Sequence, residues 1–372
     1  MGKITTSLTK WWDFTYQPRL MKRIRTAPNV QGGQDYSFIF HQIARTRPNS
    51  AKYDGYGNLM VTSSKIPWVN DAGTNSNEIT ENLHNFATVI RPLPGWKVNM
   101  DFAYRAVDVF GSKRSLTVYE HDVNNQPYAD AQTTPNWIQQ DHKSANYWTY
   151  NVYTSYHFTL ANKHNFSILG GYQAELNRQT SLTVKKSNLL VPEVPSLETA
   201  IGDPTATESL IHWATEGYFG RFTYNFEGKY LAEFNIRRDG TSRFRFANRW
   251  GTFPSLAIGW NMHKESFWEG LEPVINTFKL RASWGALGNQ NVSPYQDLNL
   301  IPLRSTPLNW IFGYGQSRPI GYTGTPSLVS LNLRWETATT RNIGADVSLL
   351  SNRLQATFDW FDRVTTDMIG PA

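Results

Sequence analysis

The 372 residues include no cysteine, which excludes structural disulfides and thiolate metal sites. Charge is scarce too: Asp, Glu, Lys and Arg make up 18% of the chain, against about a quarter in ordinary soluble domains. No apolar run is long enough to cross a bilayer as a helix, and a mean hydropathy of -0.48 excludes a helical membrane protein. The opening MGKITTSLTKWWDF has no apolar h-region, so no export signal is expected within it, and Gly2 stands in no convincing myristoylation context. Solenoid or propeller periods and low-complexity tracts are missing.

The motifs of catalysis are missing as well. The histidines, at 41, 84, 121, 142, 157, 164, 212 and 263, form no H-x-x-x-H pair, so no metal site is expected. GYGQSR from Gly313 places Arg318 where a dinucleotide fingerprint needs a third glycine, and GALGNQ lacks the Lys-Ser/Thr of a phosphate loop. No G-x-S-x-G elbow occurs. Carboxylates such as Asp359 with Asp362, and Asp239 near Glu233, read as a polar wall rather than an acid–base pair. Neither catalytic residues nor a cofactor is expected.

Aromatic residues, by contrast, are abundant at 14%, with 14 Trp, 18 Tyr and 20 Phe. High aromatic content with low charge leaves two classes: a soluble β protein, or an outer-membrane barrel, whose alternating strands keep mean hydropathy low. Period-two alternation dominates from about residue 145. In NYWTYNVYTSYHFTL, Trp148, Tyr150, Val152, Tyr156 and Phe158 share one face, and Thr149, Asn151, Ser155 and His157 the other. The pattern returns at Tyr218–Phe226, Tyr230–Ile236, Phe278–Ala286, Ile343–Leu349 and Leu354–Trp360. Strands of roughly 10–14 residues suit a tilted bilayer crossing better than a soluble sheet.

Connection lengths add a second signal. Short turns fall at Pro92–Gly95, Ala161–Lys163, Glu227–Lys229 and Ser351–Asn352, with a medium one at His263–Asn276. Long Pro-, Asn- and Gly-rich connections lie between them, at 107–144, 178–213 and 288–333, with a shorter one at 239–250. Short and long alternate, as periplasmic turns and external loops do in an outer-membrane barrel. The first eighty residues read differently: QDYSFIFHQIARTRP is helical in pattern and KYDGYGNL and NDAGTNSN are loops. The expected division is therefore 1–82 as external loop with a short helix and 83–372 as part of a barrel.

Five arginines, Arg237, Arg238, Arg243, Arg245 and Arg249, cluster among aromatics. A single-stranded nucleic-acid surface would use such residues, and it would show steeply salt-dependent retention of oligonucleotides. Alternation instead sets Arg237 opposite the apolar face. Arg238 falls at the strand's end, where its long side chain can snorkel to the interface, and the other three fall in the following loop. A barrel rim fits better, and no nucleic-acid partner is expected. Trp11, Trp12, Trp137, Trp310 and Tyr314 are placed in loops; of these Trp137, Trp310 and Tyr314 are candidate substrate contacts.

YFGRFTYNFEGKYLAEFNIRRDGTSRF, NRWGTFPSLAIGWNM, INTFKLRASWGALGNQNVSPY and NLRWETATTRNIGADVSLLSNRLQATFDWFDRVTTDMI resemble the SusC/RagA-type TonB-dependent outer-membrane transporters. The resemblance is good from about Glu216 to the C-terminus and looser back to about Asn85. It implies an all-β fold, an antiparallel transmembrane barrel of about 22 strands around a plug, with long external loops and short periplasmic turns. It also implies uptake of large nutrients, glycans or peptides, beneath a SusD-type surface lipoprotein and with energy from TonB, in the outer membrane of a Gram-negative bacterium. Arg237, Asp239, Gly240, Ser242, Arg243 and Phe244 match the family's RxDGSSRF-like segment, and Asn248, Arg249, Trp250 and Gly251 its NRWG, as architectural positions. With about ten strands, and without a plug, a TonB box or the family's continuation after DMIGPA, the chain reads as a partial barrel unable to insert alone. A surface adhesion barrel or a soluble β-rich carbohydrate-binding protein is the alternative.

Overall fold

The computed structural model describes residues 2–29, 36–61, 66–298, 303–304, 321–322 and 332–369. In chain order these form β1 Ile4–Thr9, β2 Trp12–Pro28, α1 Tyr36–Arg45, α2 Ile66–Asp71, β3 Thr74–Ile90, β4 Trp96–Ser115, β5 Tyr119–His121, β6 Pro127–Ala129, β7 Trp137–Leu160, β8 His164–Ser187, β9 Thr205–Phe226, β10 Tyr230–Thr241, β11 Trp250–Asn261, β12 Ile275–Asn289, β13 Leu303–Arg304, β14 Gly321–Tyr322, β15 Glu336–Leu349 and β16 Leu354–Thr366. The pairs β5–β6 and β13–β14 are small separate ribbons, and the other twelve strands make one sheet in strict chain order. Every neighbouring pair in it is antiparallel. β1 and β16 leave its two edges unpaired among the described residues.

Alternation sorts the side chains onto two unlike faces. One register row reads Phe166, Tyr224, Ala232, Ile258, Ala282, Ile343, Trp360, apolar from strand to strand. The adjacent row reads Ser167, Thr223, Glu233, Ala257, Ser283, Asn342, polar or small until Phe361 on the edge strand. A one-residue slip would exchange the faces, so lipid on one side and water on the other fix the register. The polar face carries ion pairs that lipid would not tolerate. Arg105 meets the buried Glu81 at 2.9 Å, where Arg19 also binds. Arg281 bridges Asp346 at 3.2 Å and Asp359 at 2.7 Å.

Two aromatic belts bound the apolar band. Near the short turns, His164, Phe226, Tyr230 and Trp260 run ring to ring at 4.8, 6.1 and 6.3 Å. At the other level Tyr172, Tyr218 and Trp250 follow at 5.1 and 6.2 Å, with the Arg238 guanidinium 5.4 Å from the Trp250 ring. From Tyr218 to Phe226, at about 3.4 Å per residue, is about 27 Å of strand. At a tilt of about 40° this gives about 20 Å of depth, close to the apolar band of an outer-membrane barrel.

The turns alternate in length as the sequence suggests. Tight connections at 10–11, 91–95, 161–163, 227–229 and 350–353, with the medium 262–274, lie at one end, and the long ones at the other. Backbone bonds staple adjacent short turns: Arg91 N to Trp11 O, His157 N to Gly95 O, Glu227 N to Lys163 O and Leu350 N to Val274 O. The long connections fold on themselves over small apolar clusters. Val61, Trp68, Ala72 and Val118 form one, and Ile138, Leu189 and Ala200 another.

Three expectations need correction. Residues 1–82 are not an external loop: β1, β2 and the start of β3 join the sheet, and only the 29–73 connection, with α1 and α2, is external. β2 escapes notice because it holds Pro18 and four basic residues, yet Trp12, Phe14 and Tyr16 still alternate with Asp13, Thr15 and Gln17. Pro18 is tolerated because β1 pairs β2 only as far as Tyr16. The strands also exceed the expected length, reaching 24 residues in β7 and β8, because the ladder continues past the bilayer, where the backbone bonds remain favourable with polar side chains. The sheet accordingly has twelve strands, not about ten.

Candidate functional site

The most structured part of the polar face lies toward its long-loop end, where β11 and β12 part. They pair only from Ser255↔Gly285 to Asn261↔Lys279. Beyond that, β11 stays with β10 and β12 with β15. Pro254 sits at the fork, where it has no ladder bond to donate toward β12. The separation opens a hollow of about 700 Å³, lined by residues of β8 to β12 together with Gln290 and Trp335.

Its polar wall comes from alternation in β10, which turns Asn235, Arg237 and Asp239 to the same side. The Arg237 Nε donates to both carboxylate oxygens of Asp239, at 2.7 and 2.8 Å, and its Nη2 donates to Gln173 Oε1 at 3.2 Å. Gln173 in turn donates to Glu175 at 3.1 Å. The Arg237 guanidinium stands 5.6 Å from the Phe219 ring. Gly217 makes room for this pair, since a Cβ there would meet Asp239 Oδ1. Gln290 Oε1, beside the hollow, is buried without a hydrogen-bond partner among the described residues.

The segment 242–249 packs against Phe253, Gln290 and Trp335, which line the hollow. Ser242 extends the β9 ladder, its N donating to Ala214 O and its Oγ accepting from Ala214 N, both at 2.9 Å. Phe244, 1% exposed, enters a cluster with Phe253, Val292, Leu333 and Trp335. The segment then binds the connection after β12 at several points. Arg243 Nη1 donates to Gln290 O at 3.3 Å, Asn248 Nδ2 to Leu333 O at 3.3 Å, and Trp335 Nε1 to Arg249 O at 2.8 Å. Arg249 Nε folds back to Phe244 O, and Arg245 meets Asp297 at 3.6 Å. Arg243 lies 4.7 Å from the Trp213 ring; burial pushes its pKa down, although a guanidinium stays charged.

Glycines complete the fit. Phe253 lies flat enough that a Cβ on either Gly251 or Gly288 would enter its ring. Gly288→Val is therefore expected to push Phe253 and Trp335 out of place at a cost of about 1–3 kcal/mol. Thermal or denaturant unfolding of the variant, measured against the unsubstituted protein, checks this.

The structure gathers Arg237, Asp239, Gly240, Ser242, Arg243, Phe244, Asn248, Arg249, Trp250 and Gly251 at this end of β10 and β11. Trp137 is elsewhere and is no loop platform: it opens β7, is 9% exposed, and holds Lys185 Nζ 4.1 Å from its ring. Trp310 and Tyr314 lie outside the described residues. Trp11 and Trp12 belong to the short-turn end, stacked at 6.1 Å. Sequence reasoning missed Gln173, Glu175 and Gln290, which join the site from β8 and from the connection after β12. No local motif marks them.

The family model described as TonB dependent receptor-like, beta-barrel matches residues 21–372. TonB-dependent receptor P3 of Formosa agariphila is 35% identical over 230 residues, 61% of this chain and 22% of that protein. TonB-dependent receptor SusC of Bacteroides thetaiotaomicron is 38% identical over 156 residues, 41% of this chain and 15% of that protein. The RagAB peptide importer in its open-open state superposes with a TM-score of 0.76 at 19% identity, covering 98% of this chain and 39% of that one. The chain thus spans less than a quarter of these two curated relatives. Its unbroken antiparallel order, its lipid-facing band between aromatic belts and the match over nearly all its length agree: the chain belongs to the TonB-dependent receptor family, as part of the β-barrel that these proteins place in the outer membrane of Gram-negative bacteria.

Proposed function

We propose that this chain forms part of the wall of an energised outer-membrane importer of large nutrients, of the SusC/RagA kind. The observation that carries the proposal is the polar face of the sheet, with its charged pairs and a hollow of about 700 Å³ whose lining residues Phe253 and Trp335 pack against Phe244 of the 242–249 segment. Such a face suits a wide, hydrated lumen. Free edges at β1 and β16 would be costly in lipid, so further strands are needed to close the barrel. The partners that follow are TonB on the periplasmic side and a SusD-type lipoprotein lid over the external loops. Glycans or peptides are the cargo, captured between lid and loops and admitted when a plug rearranges. The likeness to SusC and to a peptide importer supports this function.

Disrupting the gene in the producing bacterium tests it. Growth on one glycan or peptide class should be lost, and uptake of that nutrient by the parent strain should stop when a protonophore removes the energy supply. Unchanged growth on every nutrient of a broad panel, or uptake indifferent to the protonophore, would contradict an energised importer.

A further inference from the structure

The structure assigns the hollow at the fork of β11 and β12 as a binding subsite for a neutral, polyhydroxylated ligand, a segment of uncharged glycan; this rests on the importer function proposed above. The first argument is charge. Arg237 is neutralised by Asp239 within the wall, and its remaining bond goes to Gln173, which is itself tied to Glu175. Below them Arg221 is held by Asn235 at 2.7 Å and lies 3.9 Å from Glu233. Among the described residues that line the hollow, both cations, Arg221 and Arg237, are thus engaged, and so are the carboxylates Asp239 and Glu175.

The second argument is the pattern of donors and acceptors. Asp239, Arg237, Gln173 and Glu175 form a fixed row in which planar donors and acceptors alternate. A hydroxyl both donates and accepts through one atom, so vicinal hydroxyls can join such a row without leaving a member unpaired. Gln290 Oε1 is a buried acceptor with no donor among the described residues, which calls for a donating group from a ligand or water. The third argument concerns apolar space. Phe253 and Trp335 are 8% and 7% exposed, occupied with each other at 5.3 Å and with Phe244, so neither of these rings is open to a peptide side chain, and the apolar lining that remains includes the aliphatic Leu169 and Leu287. Half-buried Phe219 also lines the hollow, with the Arg237 guanidinium 5.6 Å from its ring.

Equilibrium binding to the full-length protein purified from the outer membrane tests the subsite without any need for transport. The probes are a mixture of neutral linear oligosaccharides, a uronic-acid oligosaccharide mixture and a peptide digest. The neutral oligosaccharides should bind best, and Gln290→Leu and Gln173→Leu should each weaken them about tenfold, the loss of one buried hydrogen bond. Both variants should keep the heat-modifiable mobility of a folded barrel, and Asn342→Leu, lower on the same wall, should bind as the parent does. Preference for the acidic or peptide probes, no binding to the parent, or unaltered binding by both leucine variants would overturn the subsite. Energy-dependent uptake in cells is a separate readout: if it persists while binding ignores Gln290 and Gln173, the importer stands and the subsite falls.

Discussion

Leu256→Arg is expected to cost the barrel about 2–4 kcal/mol, the penalty for a cation on the lipid face near the bilayer midplane. Leu256 is 47% exposed, between its register partners Phe234 and Trp284, and lies midway along β11 between the Trp250 and Trp260 levels of the two belts. The carboxylate of its row, Asp362, lies three strands away on β16 as the register partner of Arg341, and an arginine at 256 is too deep to reach either interface without distorting the wall. Its neighbour Ser255 points the other way, beside Asn235 and toward the hydrated face. Ser255→Arg should therefore leave the amount of heat-modifiable protein in the outer membrane nearly unchanged, while Leu256→Arg should deplete it several-fold. Equal depletion by both would mean that the two faces do not meet different solvents.

The second large effect concerns the external end. Phe244→Ala should remove about 3–5 kcal/mol from the cluster beside the hollow, as expected for deleting a buried phenyl ring. Phe244 is the least exposed of that cluster and meets the Trp335 ring edge-on at 5.7 Å. The barrel itself should survive, because its strands are held by the ladder and by lipid. What should loosen is the 242–249 segment, which carries Arg243, Arg245 and Arg249. Trypsin added to intact cells should cut the variant there and leave the parent whole at the same dose. Resistance equal to the parent's would show that the arginine contacts to Gln290, Phe244 and Asp297 hold the segment without the ring.

Much of the fold was legible because a barrel strand between lipid and water must alternate, and β7 to β12, β15 and β16 do so with large aromatic residues. The short turns were legible for a related reason: Ala161, Asn162, Glu227, Leu350, Ser351 and Asn352 adopt positive φ, which only abrupt reversals require. Strand ends were less so, since the ladder runs past the membrane and no apolar pattern marks where it stops. β2 was hidden by Arg19, Lys22, Arg23 and Arg25. These are acceptable where Arg19 faces Glu81 and Lys22 meets Glu78 at 2.5 Å, pairings that only the folded register supplies.

The site shows the same division. Arg237, Asp239 and Phe244 stood out because they crowd one short stretch. Their partners Gln173, Gln290 and Trp335 come from strands and connections far away in sequence, and the fork that creates the hollow depends on where β11 and β12 stop pairing. Pro254 was the visible trace of that fork. The Arg238 side chain followed the snorkelling rule, its head at the Trp250 ring in the upper belt.

The central claim, a wall crossing the outer membrane with long loops outside and short turns in the periplasm, is tested most directly by single-cysteine labelling. These 372 residues contain no cysteine, so an introduced thiol is the only one among them. Phe246, 85% exposed in the 242–249 segment, and Ser351, exposed in the β15–β16 turn, lie at opposite ends of the sheet. A maleimide on a polymer too large for porins, added to intact cells, should label Phe246→Cys at once and Ser351→Cys only after the outer membrane is permeabilised. Labelling of Ser351→Cys in intact cells as fast as Phe246→Cys, with the unsubstituted protein as blank, would contradict the account.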